Sequence, residues 1–239
     1  MIEGIVEDME LSLHKENLKK YLQRQLENHF PDRKTGKYFR GKDVDHAFDM
    51  GLCRLENCFK HVILPAYSND AGQTFFSHLH SDQYAQFLYY FMNSLWKESQ
   101  NRLICDKTML LLRDLNGIFM TYKCEMPDIF LFQHAVGTVV GNAVFSDYLL
   151  ILQNVTINTG VEQDRLGTVK IGRGVTLSPG AKIISDEPIG DRVNIGVDAV
   201  VYKTKIENDK TVIRDREGKI VIRDNKFCMA QRHFRDVIT

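Results

Sequence analysis

"VKIGRGVTLSPGAKIISDEPIGDRVNIGVDAVVYK", residues 169–203, repeats a pattern every six residues. Large aliphatic side chains recur at that interval: Ile171, Leu177, Ile183, Ile189, Ile195 and Val201. Small or apolar residues follow four positions after most of them: Val175, Ala181, Val193 and Ala199. A helix repeats every 3.6 residues and a strand every two, so neither produces a strict six. A short repeat of this kind predicts a solenoid whose coils stack on one another.

The same spacing begins upstream, at Val139, Phe145, Ile151 and Ile157. Three six-residue sides make one coil of a triangular parallel β-helix, with the large aliphatic side chains inside it. Neighbouring coils then lie about 4.8 Å apart, as neighbouring strands do. Between Ile157 and Ile171 there are fourteen residues where twelve would keep the phase. This polar, glycine-containing stretch predicts a loop that leaves the prism.

The two ends of the chain follow other patterns. Residues 1–124 predict a helical domain of four helices: one within 7–30, one along 44–62 with Asp43 or Asp45 as its cap, one starting at Ser81 or Asp82, and one over about 103–121. Residues 125–206 form the β-helix domain. Residues 207–239 predict a hairpin around Glu217-Gly218 that caps the last coil, followed by a tail. The fold class is therefore mixed α and β.

Composition limits the partners and the compartment. Lys plus Arg and Asp plus Glu both number 31, so a net charge of zero argues against nucleic acid or an anionic membrane as partner. The five cysteines form no C-x-x-C pair, and the N-terminus lacks the pattern of a secretory signal, so we expect a cytoplasmic protein with reduced thiols. The most apolar run, residues 87–96, is about half as long as a membrane span requires. His78, His80 and Asp82 have a spacing that suits a metal, but a helix N-terminus explains them better, and we expect no metal.

Residues 125–205 resemble the serine acetyltransferases of the hexapeptide-repeat acyltransferase superfamily. The resemblance is carried by "HAVGTVVG" (134–141), "ILQNVT" (151–156), "KIG" (170–172) and "GAKI" (180–183). The helical half matches only in architecture. "MPDIFLFQHAVG" (126–137) is most similar to a branch associated with surface-polysaccharide genes.

The resemblance implies a left-handed β-helix, a homotrimer with active sites between prisms, and acetyl-CoA as acyl donor. A dimer of trimers through the helical domain is a further possibility for the assembly. His134 would be the general base, since the pKa of histidine lies near working pH. Glu125 would orient it, with Asp128 as the alternative. Acetyl-CoA would lie along the prism wall and meet a set of five residues: Asn158, Gly160, Ala181, Lys182 and Lys203.

Two departures from the family concern the acceptor. Gln133 stands where the family has an aspartate, which removes a charge pair with a substrate ammonium. Arg165 is followed by Leu166 where the family has an Arg-His pair. Arg165 would hold a substrate carboxylate, and His80 and Asp82 could reach the acceptor from the helical domain. We therefore expect a sugar or small polar metabolite as acceptor, with L-serine as the alternative and a non-catalytic CoA-binding trimer as the contrasting class.

Overall fold

The computed structural model describes residues 8–158 and 168–237. The chain forms two compact units, one up to Lys60 and from Leu64 to Asn116, the other from His61 to Ile63 and from Gly117 onward. This division lies nearer the N-terminus than the expected domain boundary at 124/125. The reason is local: the last helix ends at Asn116, and Gly117, with a φ of +65°, turns the chain into the first coil. No helix among the described residues is long and apolar enough to cross a membrane.

From residue 8 onward, the helical unit contains five α-helices: α1 Lys15–His29, α2 Thr35–Tyr38, α3 Lys42–Phe59, α4 Ser81–Ser99 and α5 Arg102–Asn116. A short parallel pair, β1 Glu10–Leu11 with β2 Phe75–Phe76, completes it. Helix α4 is buried on almost every side and forms the centre of the unit. Gly51 lets α3 approach α4, because a Cβ at this position would lie 3.1 Å from the Phe91 backbone.

The four predicted helices are present, but their caps differ from those predicted. Gly41 precedes α3, and the Asp43 carboxylate accepts a hydrogen bond from the Ser99 hydroxyl at 2.7 Å. His80 caps α4, its ring nitrogen accepting from the backbone N–H of Gln83 at 3.5 Å. His80 has extended backbone angles, as an N-cap residue requires, whereas Ser81 and Asp82 already lie in the helix.

The second unit is a parallel β-helix with three faces. The first face contains β4 Phe130–Phe132, β7 Leu149–Ile151, β10 Thr176–Leu177, β12 Asn194–Ile195 and β14 Lys210–Arg214. The second contains β3 Phe119–Met120, β5 Val139–Val140, β8 Thr156–Ile157, β11 Lys182–Ile184 and β13 Val200–Tyr202. The third contains β6 Ala143–Phe145 and β9 Val169–Ile171, continued by single bridges at Ile189 and Ile206.

Strand register confirms the six-residue repeat. Leu177 pairs with Ile195 and Ile183 with Val201, so one coil takes eighteen residues, or three sides of six. Two details of the predicted phase were wrong. Val140, not Val139, lies beside Ile157 inside the prism. Ile157 and Ile171 are on adjacent faces, and the coil containing the loop takes 26 residues from Ile157 to Ile183, so the loop adds eight residues rather than two.

Residues in the left-handed backbone region stack along the corners of the prism. At the first corner, between the first and second faces, five residues have positive φ in successive layers: Gly117, Gly137, Asn154, Gly180 and Asp198. Gly, Asn and Asp adopt this conformation at the least cost, which explains their recurrence at this corner. At Gly137 a Cβ would lie 2.2 Å from the side-chain oxygen of Asn154, so any larger residue there requires that side chain to move.

The predicted terminal hairpin is present. Strand β15, Ile220–Asp224, pairs antiparallel with β14, which itself continues the first face beside β12. The following stretch, 225–237, is here named the C-terminal segment, and it folds back over this unit. Asn194 donates to the Phe227 carbonyl at 2.8 Å, and Arg173 donates to the carbonyls of Asp236 and Val237. A bridge between Val62 and Phe234 joins it to the 61–63 stretch.

Candidate active site

His134 lies at the first corner of the β-helix, two residues after β4 ends. Its side chain is exposed and its φ is +52°, a conformation that non-glycine residues rarely adopt. The backbone on both sides is fixed, since the Gln133 N–H donates to Ile151 O at 2.9 Å and the Val136 N–H donates to His134 O at 2.7 Å. Such strained positions concentrate at functional sites.

The corner that carries His134 is longer than the corners stacked above it. From Phe132 to Val140, both inward residues of their strands, the chain takes eight residues. The corresponding step from Leu177 to Ile183 takes six. Two additional residues therefore bulge outward here, and they bring His134 and the exposed Val136 to the surface.

Glu125 and Asp128 lie elsewhere on the prism. The segment from Thr121 to Ile129 runs beside β6 on the third face, and Glu125 lines two adjoining hollows there, of about 490 and 710 Å³. Asp128 lines the first of them, near Asp147 and Arg173. His134 stands at the corner between the other two faces, so the fold of a single chain places the predicted base and its predicted orienting acid at different corners.

Phe119 is the residue that the sequence reasoning missed. It pairs with Val139 on the second face, its side chain points outward, and it is 39% exposed. Gly117 and Ile118, which precede Phe119, lie in the layer next to the His134 corner. A Cβ on Gly117 would lie 3.0 Å from the Val136 side chain. An aromatic ring therefore occupies the wall next to the His134 corner. The six-residue repeat could not reveal it, because Phe119 and Val139 are twenty residues apart.

The predicted acetyl-CoA residues divide into structural and accessible ones. Asn158 is buried, and its side chain donates to the carbonyls of Asn142 and Ser185 at 3.3 and 2.8 Å and accepts from the Ser185 N–H at 2.9 Å. Ala181 is also buried, its N–H donating to Ser178 and its carbonyl accepting from Thr156. Both residues hold neighbouring coils together.

Lys182 begins β11, Lys203 directly follows the neighbouring strand β13 on the second face, and both side chains are exposed. The Lys182 ammonium donates to the Gly180 carbonyl at 2.9 Å, and the Lys203 ammonium lies 5.4 Å from the centre of the Tyr202 ring. Both can meet a ligand on this face. Gly160 and Arg165 lie outside the described residues.

The helical-unit candidates have roles within their own unit. His80 caps α4, and its ring meets that of Tyr67 edge-on at 5.8 Å. Asp82 is 7% exposed, and burial, with a smaller contribution from the Asp82 charge, raises the pKa of Tyr67 far above its usual value. Among residues 8–158 and 168–237, no three His, Cys, Asp or Glu side chains form a metal-binding group.

Comparisons with known proteins agree with the sequence resemblance. A serine acetyltransferase from Synechococcus elongatus is 29% identical over 114 residues, which cover 47% of this chain and 46% of that protein, so the match spans about half of the relative. A serine acetyltransferase structure from Brucella abortus aligns with a TM-score of 0.60 at 21% identity, covering 88% of this chain and 85% of that one. A serine acetyltransferase structure from Vibrio cholerae aligns with a TM-score of 0.58 at 22% identity, covering 90% of this chain and 82% of that one.

A structure of Neisseria gonorrhoeae serine acetyltransferase in complex with serine aligns with a TM-score of 0.54 at 18% identity, covering 85% of this chain and 83% of that one. No family model matches the chain. The structural neighbours confirm the predicted fold class, a helical N-terminal part followed by a left-handed parallel β-helix. They also agree with the resemblance to serine acetyltransferase-like hexapeptide-repeat proteins.

Proposed function

We propose that this protein is an acetyl-CoA-dependent acetyltransferase of the serine acetyltransferase kind, with His134 as general base. The observation that carries the proposal is the placement of His134. A titratable ring is held on a rigid, lengthened corner, in a conformation that costs free energy, within the segment that resembles the family's active site. A histidine with only a structural role would need neither the exposure nor the bulge.

The chemistry requires one proton transfer and one acyl transfer. The His134 ring would accept the proton of the acceptor hydroxyl or amine as that atom attacks the thioester carbonyl. When the tetrahedral intermediate collapses, the carbon–sulfur bond breaks and the proton passes from the imidazolium to the departing CoA thiolate. Lys182 and Lys203, both exposed on the second face, supply positive charge for the CoA phosphates.

Two acceptors remain in competition. Gln133 next to the base favours a neutral sugar or small polar metabolite, in surface-polysaccharide synthesis, because an amide cannot pair with an ammonium as a carboxylate does. L-Serine fits the comparisons at least as well, since the relatives and neighbours carry the name serine acetyltransferase.

Self-association into a homotrimer is part of the proposal, because it would cover an exposed apolar strip. Other than Phe119, four apolar side chains on the second face and the first corner are at least 38% exposed: Val136, Val197, Val200 and Tyr202. The outward residues of the first face are buried instead, and the C-terminal segment bonds to one of them, Asn194. The second face and the first corner are thus the surface on which copies of this chain would meet.

The deciding experiment follows thiol release from acetyl-CoA with a thiol reagent. The purified protein is tested with L-serine and with a panel of nucleotide sugars, beside His134→Asn and His134→Ala. Asparagine tolerates positive φ and keeps the corner but removes the base, so we expect both variants to lose at least a hundredfold in kcat. Lys219→Ala, on the exposed tip of the terminal hairpin, is the matched control.

Full turnover by His134→Asn would refute the assignment of the base. Acetyl-CoA binding by calorimetry, without turnover of any acceptor, would favour the non-catalytic trimer. Light scattering of the same preparation measures the mass in solution against the chain mass of 27.6 kDa.

A further inference from the structure

We propose that the groove between the 121–125 stretch and β5–β6 binds the acceptor, and that the acceptor is an extended carbohydrate rather than an amino acid. This inference rests on the proposed function and names the substrate class of the same site. The groove, of about 710 Å³, is lined by residues 139–144 of β5, β6 and the turn between them, together with Phe119, Thr121, Lys123, Cys124, Glu125 and Thr168. It is called the acceptor groove below.

The acceptor groove exists because the third face lacks a strand in its lowest layer. The first and second faces begin with β4 and β3, but the third begins with β6, which pairs only with β9 among the described strands. The 121–129 stretch passes beside β6 without pairing to it. On this side β6 has no strand partner among the described residues, and such an edge can bind the polar groups of a ligand.

The side chains lining the acceptor groove suit a neutral polyhydroxyl ligand. Lys123 and Glu125 bring opposite charges, so the groove has no net charge of its own. Thr121, Asn142 and Thr168 add neutral donors and acceptors, the Asn142 amide donating to the Thr168 hydroxyl at 3.0 Å. Phe119 and two valines, Val139 and Val144, provide apolar surface. Apolar walls with a few placed polar groups are typical of small-molecule sites.

The position of the acceptor groove sets the length of the ligand. The groove begins on the second face at Phe119 and Val139, next to the His134 corner, and continues around the second corner to Ala143 and Val144. The extended chain from Val139 to Asn142 alone covers about 10 Å at about 3.3 Å per residue. An acceptor that reacts at His134 and also meets Lys123 and Glu125 must reach across this wall. A free amino acid is too short, whereas a sugar joined to a second unit can span it.

The first test compares acceptors by size and charge in the thiol-release assay. L-Serine, glucose, maltose and UDP-glucose are offered to the full-length protein and to three variants, Phe119→Ala, Lys123→Ala and Glu125→Gln. We expect kcat/KM to be highest for a two-unit carbohydrate. Each variant should lower it about tenfold through the acceptor KM, leaving the KM of acetyl-CoA within twofold. Glu217→Gln and Lys219→Ala, on the exposed hairpin tip, are the matched charge controls and should change neither constant.

The second test measures binding without turnover, so that failure of the groove and failure of the proposed function are distinguishable. Saturation-transfer NMR records contact of maltose and UDP-glucose with the wild type and with Phe119→Ala, while acetyl-CoA binding is titrated separately. Carbohydrate signals that weaken in Phe119→Ala support the inference even if transfer is slow. L-Serine as the best acceptor, with unchanged kcat/KM in all three variants, would overturn it while acetyl transfer stands. Absence of carbohydrate contact in the wild type would also overturn it.

Discussion

Replacing Asn158 by alanine separates a structural role from a cofactor-binding role at this residue. The Asn158 side chain makes three hydrogen bonds, to the carbonyls of Asn142 and Ser185 and from the Ser185 N–H, and it is 3% exposed at a φ of +35°. Three bonds at about 1 kcal/mol each, and about 1 kcal/mol for placing alanine in the left-handed region, give about 4 kcal/mol of lost stability. For a chain of this size that corresponds to a fall in Tm of about 10 °C.

The assay is thermal unfolding followed by circular dichroism, together with hydrogen exchange at the Ser185 amide. In Asn158→Ala this amide loses its acceptor and should exchange at least tenfold faster, while Ile183 and Val201 in the adjacent strands stay protected. The KM of acetyl-CoA, measured at a temperature where the variant is folded, should change less than threefold. An unchanged Tm with a large rise in that KM would refute the structural account and restore Asn158 as a cofactor ligand.

Two further predictions concern the corners and the C-terminal segment. Gly137→Ala should cost about 2 kcal/mol, because alanine at positive φ is strained and the Asn154 side chain must also move. Gly72→Ala, at φ +80° with nothing within 4 Å, should cost about 1 kcal/mol, and equal losses in urea unfolding would contradict this reading. Burial lowers the pKa of His233 below its usual 6.5, so its contribution to stability is complete above that pH and is lost as pH falls toward the folded value. The protection factor of the Phe234 amide, which is the exchange rate corrected for the pH dependence of an unprotected amide, should therefore fall between pH 7 and pH 5 in the wild type but not in His233→Gln. Identical pH profiles of the protection factor would contradict it.

The β-helix could be predicted because every coil repeats the same six-residue pattern in the sequence. Each coil buries a large aliphatic residue per side, so the spacing of Leu177, Ile183 and Ile195 reports the geometry directly. The prediction failed in phase only where the chain departs from six, at the lengthened corner before Val140 and in the loop after Ile157. Inserted residues do not disturb the apolar repeat before and after them. The repeat alone therefore could not tell whether the stretch between Ile157 and Ile171 covers one face of the prism or two.

The site was predictable residue by residue only in part. The segment around His134 singles it out as the predicted base, but the environment of that corner depends on residues brought there by register. Phe119 reaches the second face through pairing with Val139, and no local signal records that pairing. Likewise, the bridge between Val62 and Phe234 joins residues 172 positions apart. Glu125 was assigned as the counterpart of the family's orienting carboxylate, and the structure places it in the two hollows beside β6.

The lengthened corner gives a physical reason to treat His134 as functional. The prism needs one left-handed residue per layer at the first corner, and in this layer Gly137 already supplies it. His134, at φ +52°, is therefore a second left-handed residue that the stacking does not require. Left-handed backbone at a histidine costs free energy, and two inserted residues at a corner gain no strand pairing. Both costs fall on the segment that carries the exposed imidazole. A role that needs this ring at the surface accounts for the strained backbone and for the inserted residues.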